Sequence, residues 1–234
     1  MYKLTLPNLK VISKKNIFNN EHLLVLGGRT PDINWLKEAS ENRILWAVDR
    51  GINIITKAGL TPNFLIGDND SADKSDWDRA ITQGVEFKKY PIEKDYTDLE
   101  LAVEKLPKDA FGILTGAFGG RFDHTFSNVF SAAHANNNLC LADEVETLFF
   151  LKNGDDFKII FEKTPESISL ISISQKCEGV TVSGVHWPLK DATLYQKSPN
   201  TISNILENTN ICNIKLLTGI LGVYILHKES ILRQ

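Results

Sequence analysis

Six aspartates stand just past apolar runs in the first half of this chain: Asp49, Asp68, Asp70, Asp95, Asp98 and Asp123. Two short runs with the composition of buried strands, RILWAVD and NFLIGDND, end directly on them. A parallel α/β sheet binds its ligands in the crevice outside the carboxyl ends of its strands, so these acids are expected at one edge. Carboxylates crowded there repel one another unless a cation or a cationic ligand sits among them. Any single Asp after a strand serves well enough as a helix cap or turn residue. The whole set points instead to a divalent-metal phosphate site.

Three segments concentrate this chemistry. In GDNDS, Asp68 and Asp70 are two residues apart in the loop after a strand, where they can converge on one hard cation, and Gly67 permits a tight backbone path. In KDYTD, Thr97 caps a helix and Asp98 sits in its first turn, so free N–H groups and the positive dipole end face whatever binds there. In GAFGGRFDH, Gly116, Gly119 and Gly120 let the backbone approach a ligand, and Arg121 can fork onto phosphate oxygens. No P-loop, no dinucleotide fingerprint and no kinase catalytic-loop signature occurs, and no nucleophile elbow is present. Direct transfer between bound substrates is therefore easier to support than covalent catalysis. His124 and His186 lack the spaced partners of a zinc site and read as cap or core histidines.

The elements that must position these residues change character near residue 143. Before it, strand and helix patterns alternate. HLLVLGG, RILWAVD, NFLIGD, GVEFKKY and FGILTG read as strands. Thr30 with Pro31 marks one helix start, TDLELAVEKL carries a capping box of Thr97 and Glu100, and DHTFSNVFSAAHANN reads as a further helix. Repeated βα units imply a mostly parallel sheet covered on both faces. Beyond residue 143 the helical period disappears, and short β-branched and aromatic runs separated by turns predict an all-β sandwich or barrel. The expected organisation is thus an α/β domain over 1–142 and a β-domain over 143–234.

Composition narrows the function classes. The formal net charge of −3 over 234 residues gives no electrostatic footprint for nucleic acid or anionic membrane. Cys140, Cys177 and Cys212 are odd in number and far apart, so neither a disulfide framework nor a zinc knuckle is expected. The opening MYKLTLPNLKVISKK has no apolar signal-like core, and no run approaches membrane-spanning length. The expectation is a soluble, cytoplasmic protein that binds neither nucleic acid nor membrane.

In order and spacing, AVDRGIN with LTPNFLIGDNDS, then EKDYTDLELAV, GAFGGRFDHTFSN, ISISQKCEGVTVSGVHWPLKDATL and SPNTISN resemble the thiamin pyrophosphokinase family, from about Leu24 to the C-terminus. The resemblance implies transfer of pyrophosphate from ATP to the hydroxyethyl group of thiamin, giving thiamin diphosphate and AMP. It implies an ATP-binding α/β domain, a thiamin-binding β-domain, and a homodimer with active sites between subunits. Carried over by position, Asp68, Asp70 and Asp98 would hold Mg²⁺, with Lys94 beside them on the phosphate and hydroxyl path. Asp49, Arg50, Asp95, Thr97, Gly116, Gly119, Gly120, Arg121, Asp123 and His124 would bind the nucleotide. Trp187 would cover the vitamin's rings, and Ser203 and Asn204 would contact it; without the resemblance, Trp187 reads equally well as a core aromatic. The chain departs from the family pattern at Arg50, where glycine is usual, and at Asn69, where phenylalanine is usual. Two other readings share these residues: a different Mg²⁺-dependent phosphotransferase or nucleotide hydrolase, and a non-catalytic thiamin-binding sensor.

Overall fold

The computed structural model of the chain describes residues 1–227 apart from 69, 71, 92 and 94. It divides into two compact units, one of residues 19–143 and one built from residues 1–18 and 144–234. The first 18 residues, which the sequence pattern assigns to the α/β domain, thus go with the C-terminal half. They form a hairpin of β1 (Tyr2–Leu6) and β2 (Leu9–Ser13) around Pro7 and Asn8. Leu4, Leu6, Leu9 and Val11 alternate onto one buried face, and β2 pairs with the distant strand Asp156–Phe161, at Phe157 opposite Ser13 and Phe161 opposite Leu9. Such long-range pairing leaves no local signal beyond the alternation itself.

The 19–143 unit runs β3 (Glu21–Val25), α1 (Ile33–Ser40), β4 (Ile44–Val48), α2 (Gly51–Lys57), β5 (Phe64–Gly67), α3 (Lys74–Thr82), β6 (Glu86–Lys89), α4 (Asp98–Lys105), β7 (Phe111–Thr115), α5 (Phe122–His134) and β8 (Asn138–Ala142). Its strands are all parallel, in the order β8-β7-β3-β4-β5-β6. The middle strands are almost wholly apolar and buried, as a sheet covered on both faces requires. The expected capping box on α4 is present, with Thr97 and Glu100 bonded reciprocally. The helix expected to start at Thr30 and Pro31 starts two residues later. There Asp32 is the N-cap, its carboxylate accepting from the Asn34 and Trp35 N–H groups.

Strand order reverses between β3 and β7, which is where an open parallel sheet forms its ligand crevice. The loops leaving these two strands are stitched together by main-chain bonds: Leu26 N to Thr115 O at 2.8 Å, Gly28 N to Gly116 O at 2.8 Å, and Arg29 N to Phe118 O at 2.7 Å. Arg29 adds a side-chain anchor. Its Nε and a terminal nitrogen donate to Asp143 Oδ2 at 3.1 and 2.5 Å, and its guanidinium carbon lies 5.6 Å from the centre of the Phe118 ring. Asp143 is fully buried.

The other unit continues with β9 (Glu146–Lys152), β10 (Asp156–Phe161), β11 (Ser167–Ser172), β12 (Lys176–Ser183), β13 (Leu189–Tyr195), β14 (Ile211–Lys215) and β15 (Ile220–Leu226). Among the described residues it contains strands and no helix. One antiparallel sheet has the order β1-β2-β10-β14-β12-β13, and β11, β15 and β9 are joined antiparallel in that order. No helix among the described residues is long and apolar enough to cross a membrane.

Two expectations test this packing. Asp143→Ala should lower stability by about 3 kcal/mol, because it strands the Arg29 charge among partly buried surroundings; a urea denaturation midpoint unchanged from wild type would overturn that role. His22 on β3 is buried and accepts at Nδ1 from the Trp46 Nε1–H at 2.8 Å, so its neutral ring carries the proton on Nε2. Burial, only partly opposed by Asp109, holds its pKa below the ordinary value of 6.5. The unfolded chain then takes up this proton first as pH falls below about 6.5, and stability drops from there down to the folded pKa. The melting temperature should fall between pH 7.5 and 5.5, and fall less in His22→Asn, whose amide oxygen can accept the same indole bond. Equal slopes would remove His22 from the account.

Candidate active site

The carboxylates of Asp49, Asp68 and Asp70 converge, their nearest oxygens all within 4.8 Å of one another. Adjacent parallel strands bring them there. Asp49 follows β4, Asp68 and Asp70 follow β5, and the two strands pair from Trp46 opposite Phe64 to Val48 opposite Ile66. The Asp49 N–H continues the pairing by donating to Ile66 O at 2.6 Å. Its backbone then turns into the left-handed region, φ +50°, which Asp tolerates better than most residues. Gly67 is dictated by the same approach: its φ is +154°, and a Cβ there would lie 2.9 Å from the Asp49 Cα. Asp68 is almost fully buried and accepts from the Asp70 N–H at 3.2 Å, Asp49 is half-buried, and Asp70 is exposed. Asp95, Asp98 and Asp123 are not in this group.

Asp98 opens α4 and is half-buried, and Asp95 is exposed in the segment before it. The Thr97 hydroxyl is committed to the cap, accepting from the Glu100 N–H at 3.2 Å and donating to Glu100 Oε2 at 2.9 Å. Lys94 and Asn69 lie outside the described residues. Gly116, Gly119 and Gly120 occupy the loop from β7 to α5, and α5 starts at Arg121 as N-cap with no side-chain cap bond from that residue; of the first-turn N–H groups, that of His124 is taken by the Asp123 carboxylate. Arg121 forks onto Asp123, Nε to Oδ1 at 3.1 Å and a terminal nitrogen to Oδ2 at 2.5 Å. That bond holds the Asp123 carboxyl below, and the guanidinium above, their ordinary ranges. His124 is exposed beside them, its N–H donating to Asp123 Oδ1.

Arg50 caps α2 without a side-chain cap bond; its Nε reaches back to donate to Gly27 O at 2.7 Å. A Cβ at Gly27 would lie 2.3 Å from the Arg50 Cγ, so the arginine stem lies flat across the end of β3. It thereby fastens the β3 exit to the β4 exit, one residue from Asp49.

In the β unit, Trp187 is 59% exposed and so is not a core residue. It precedes Pro188 in the segment between β12 and β13, with the His186 ring edge-on to the indole at a centroid separation of 4.6 Å. Ser203 has a left-handed backbone, φ +60°, and its N–H donates to Ser169 Oγ at 2.9 Å. Asn204 spends its amide on the main chain: Oδ1 accepts from the Trp187 and Ile205 N–H groups at 3.1 and 3.0 Å, and Nδ2 donates to Trp187 O at 2.8 Å.

Arg29 and Asp143 carry no mark in the sequence beyond the Gly-Gly pair that precedes Arg29, and His186, expected as a cap or core histidine, is instead exposed beside Trp187. Arg29 and its partner Asp143 are 114 residues apart. Asp49, which the family resemblance gives to the nucleotide, has its carboxylate in the acidic group.

Two family models match the chain in order, the thiamin pyrophosphokinase catalytic domain over residues 35–141 and the thiamin pyrophosphokinase vitamin B1 binding domain over residues 157–221. A thiamine pyrophosphokinase of Bacillus subtilis (strain 168) is 30% identical over 191 residues, which span 78% of this chain and 88% of that protein. Among solved structures, thiamin pyrophosphokinase from Geobacillus thermodenitrificans superposes with a TM-score of 0.73 at 26% identity, covering 90% of this chain and 98% of that one. The Candida albicans thiamin pyrophosphokinase shares the fold at a TM-score of 0.71 and 15% identity, with 92% and 98% covered. With both domain models in place and a relative of this identity spanned almost throughout, the chain belongs to the thiamin pyrophosphokinase family.

Proposed function

We propose that this protein transfers a pyrophosphoryl group from ATP to the hydroxyethyl oxygen of thiamin, giving thiamin diphosphate and AMP. The observation that carries the reading is the convergence of Asp49, Asp68 and Asp70 at the exits of two adjacent parallel strands, in a chain of this family. Neither a sensor nor a different phosphotransferase or hydrolase is favoured by that combination.

The donor set suits Mg²⁺. Three carboxylates supply hard oxygen ligands from one loop edge, and at this separation they repel one another in the absence of a cation. Asp68 and Asp70, with Asp49 rather than Asp98 as their nearest third ligand, would hold the ion. When bound, it supplies charge neutralisation for the phosphate oxygens. The remaining steps fall to the chain itself. The edge formed by the joined β3 and β7 loops, with Gly119 and Gly120 exposed on it and Gly116 closing it beneath, receives the nucleotide, and Arg50 keeps its β3 side in place. Arg121, released from or shared with Asp123, and the N-terminus of α5 face the anionic phosphates. The thiamin hydroxyl attacks the β-phosphorus in line as AMP departs, and a carboxylate, Asp70 or Asp98, accepts its proton. Asp95 and the Thr97 segment border this path, and His124 supports the Asp123 turn.

The thiamin site lies in the β unit at Trp187 and Ser203. An exposed indole suits a cationic aromatic ligand, worth about 0.5–2 kcal/mol as cation–π attraction. A cytoplasmic homodimer belongs to the same reading. Its support is the row of rings along α5, Phe122, Phe126 and Phe130 with centroids 5.7 and 4.8 Å apart, whose first two members are 77% and 54% exposed; apolar surface of this kind marks association sites.

The deciding experiment incubates the protein with ATP, thiamin and Mg²⁺ and quantifies products. AMP and thiamin diphosphate should appear in equal amounts and vanish on chelation with EDTA. AMP without thiamin diphosphate would make the protein a hydrolase, and neither product would make it a binder. Asp70→Asn and Asp68→Asn should each lower turnover at saturating Mg²⁺ by about a thousandfold with the fold intact. Rates near wild type in both variants would sink the assignment of the acidic group.

A further inference from the structure

Asn204 stands at the meeting point of a buried strand and an exposed aromatic ring. The segment from Thr201 to Asn204 is laid along β11 by main-chain and side-chain bonds. Leu170 N donates to Thr201 O at 2.8 Å, the Thr201 hydroxyl to Leu170 O at 2.6 Å, and Ser203 N to Ser169 Oγ at 2.9 Å. Asn204 and Ile168 exchange both main-chain bonds, at 2.7 and 2.9 Å. Ile168 and Leu170 are 1% and 5% exposed, so this rail is part of the packed β unit.

From that rail the Asn204 amide grips the next segment over. It takes the Trp187 N–H on Oδ1 and gives Nδ2–H to the Trp187 carbonyl, while Ile205 O accepts from the His186 N–H at 2.9 Å. Both polar groups of the Trp187 main chain are therefore held by one side chain, and Pro188 behind it has no N–H to offer. The Oδ1 atom is fully used, since it also accepts from the Ile205 N–H. The indole is 59% exposed, with the His186 ring beside it, and the Cα–Cβ direction from which it projects is set by this held main chain.

We infer that Asn204 is a positioning residue, acting on the vitamin through Trp187 and not by touching it. This rests on the reading of Trp187 as the cover over thiamin. Fixing the Trp187 backbone before the ligand arrives removes an ordering cost from binding and leaves the nucleotide side of the reaction untouched.

The test is a double-mutant cycle on the full-length enzyme, reading the KM for thiamin, the KM for ATP and the melting temperature of Asn204→Ala, Trp187→Ala and the double variant. Asn204→Ala should raise the thiamin KM by about tenfold, the loss expected when a cation–π and stacking partner is misplaced, with the ATP KM unchanged. The double variant should be no worse for thiamin than Trp187→Ala alone, because one residue works through the other. Multiplication of the two effects would show a direct contact by Asn204 and overturn the inference, as would a normal thiamin KM in Asn204→Ala. Should Asn204→Ala fail to fold, Asn204→Asp keeps the acceptor and loses the donor, and the same cycle applies with the same outcomes. If Trp187→Ala itself leaves the thiamin KM unaltered, the placement of the vitamin is what fails, and this inference falls with it; that result is distinct from a loss of coupling.

Discussion

Between the ends of β3 and β7 the main chains run so close that a Cβ at Gly116 would lie 2.3 Å from the Leu26 carbonyl oxygen, and one at Gly28 would lie 2.4 Å from that of Gly116. The candidate catalytic edge depends on this contact. It draws two strand exits on either side of the sheet's reversal point into one continuous surface. Arg29, bonded to Asp143 and laid over Phe118, and Arg50, bonded to the Gly27 carbonyl, then hold that surface from its two flanks. Glycine is required because nothing larger fits between the backbones. The same logic recurs one strand along, where Gly67 lets β5 close on Asp49 and so brings three carboxylates together.

How much of this could be read from the sequence depended on the range of the interaction. The α4 capping box is legible because Thr97 and Glu100 are three residues apart and satisfy each other. The α1 start is legible only to within two residues, since Thr30 and Asp32 are both competent caps and only the geometry selects Asp32. The opening hairpin alternates visibly, but the strand that covers it lies in the distant half of the chain. Asp68 and Asp70 are paired by sequence; that Asp49 joins them follows from strand order, which periodicity does not encode. The buried partner of Arg29 is hidden for the same reason.

The ends of side chains can differ in employment from what their types suggest. Asn204 and Thr97 carry groups able to bind a ligand and devote them to the protein's own framework, and Arg50 commits its Nε in the same way. Arg121 sits between these cases, exposed and pre-paired with Asp123. A polar residue in a functional segment is thus as apt to build the site as to contact its occupant, and only the hydrogen-bond inventory tells the two apart.

The distribution of tryptophans has a practical consequence. Trp35, Trp46 and Trp77 are 5%, 3% and 2% exposed, whereas Trp187 is 59% exposed. The indole that would meet the vitamin is therefore the one whose emission water can shift and a dissolved quencher can reach. The protein carries its own optical reporter at the place where its chemistry with the vitamin would begin, set against three shielded indoles that report only on the integrity of the fold.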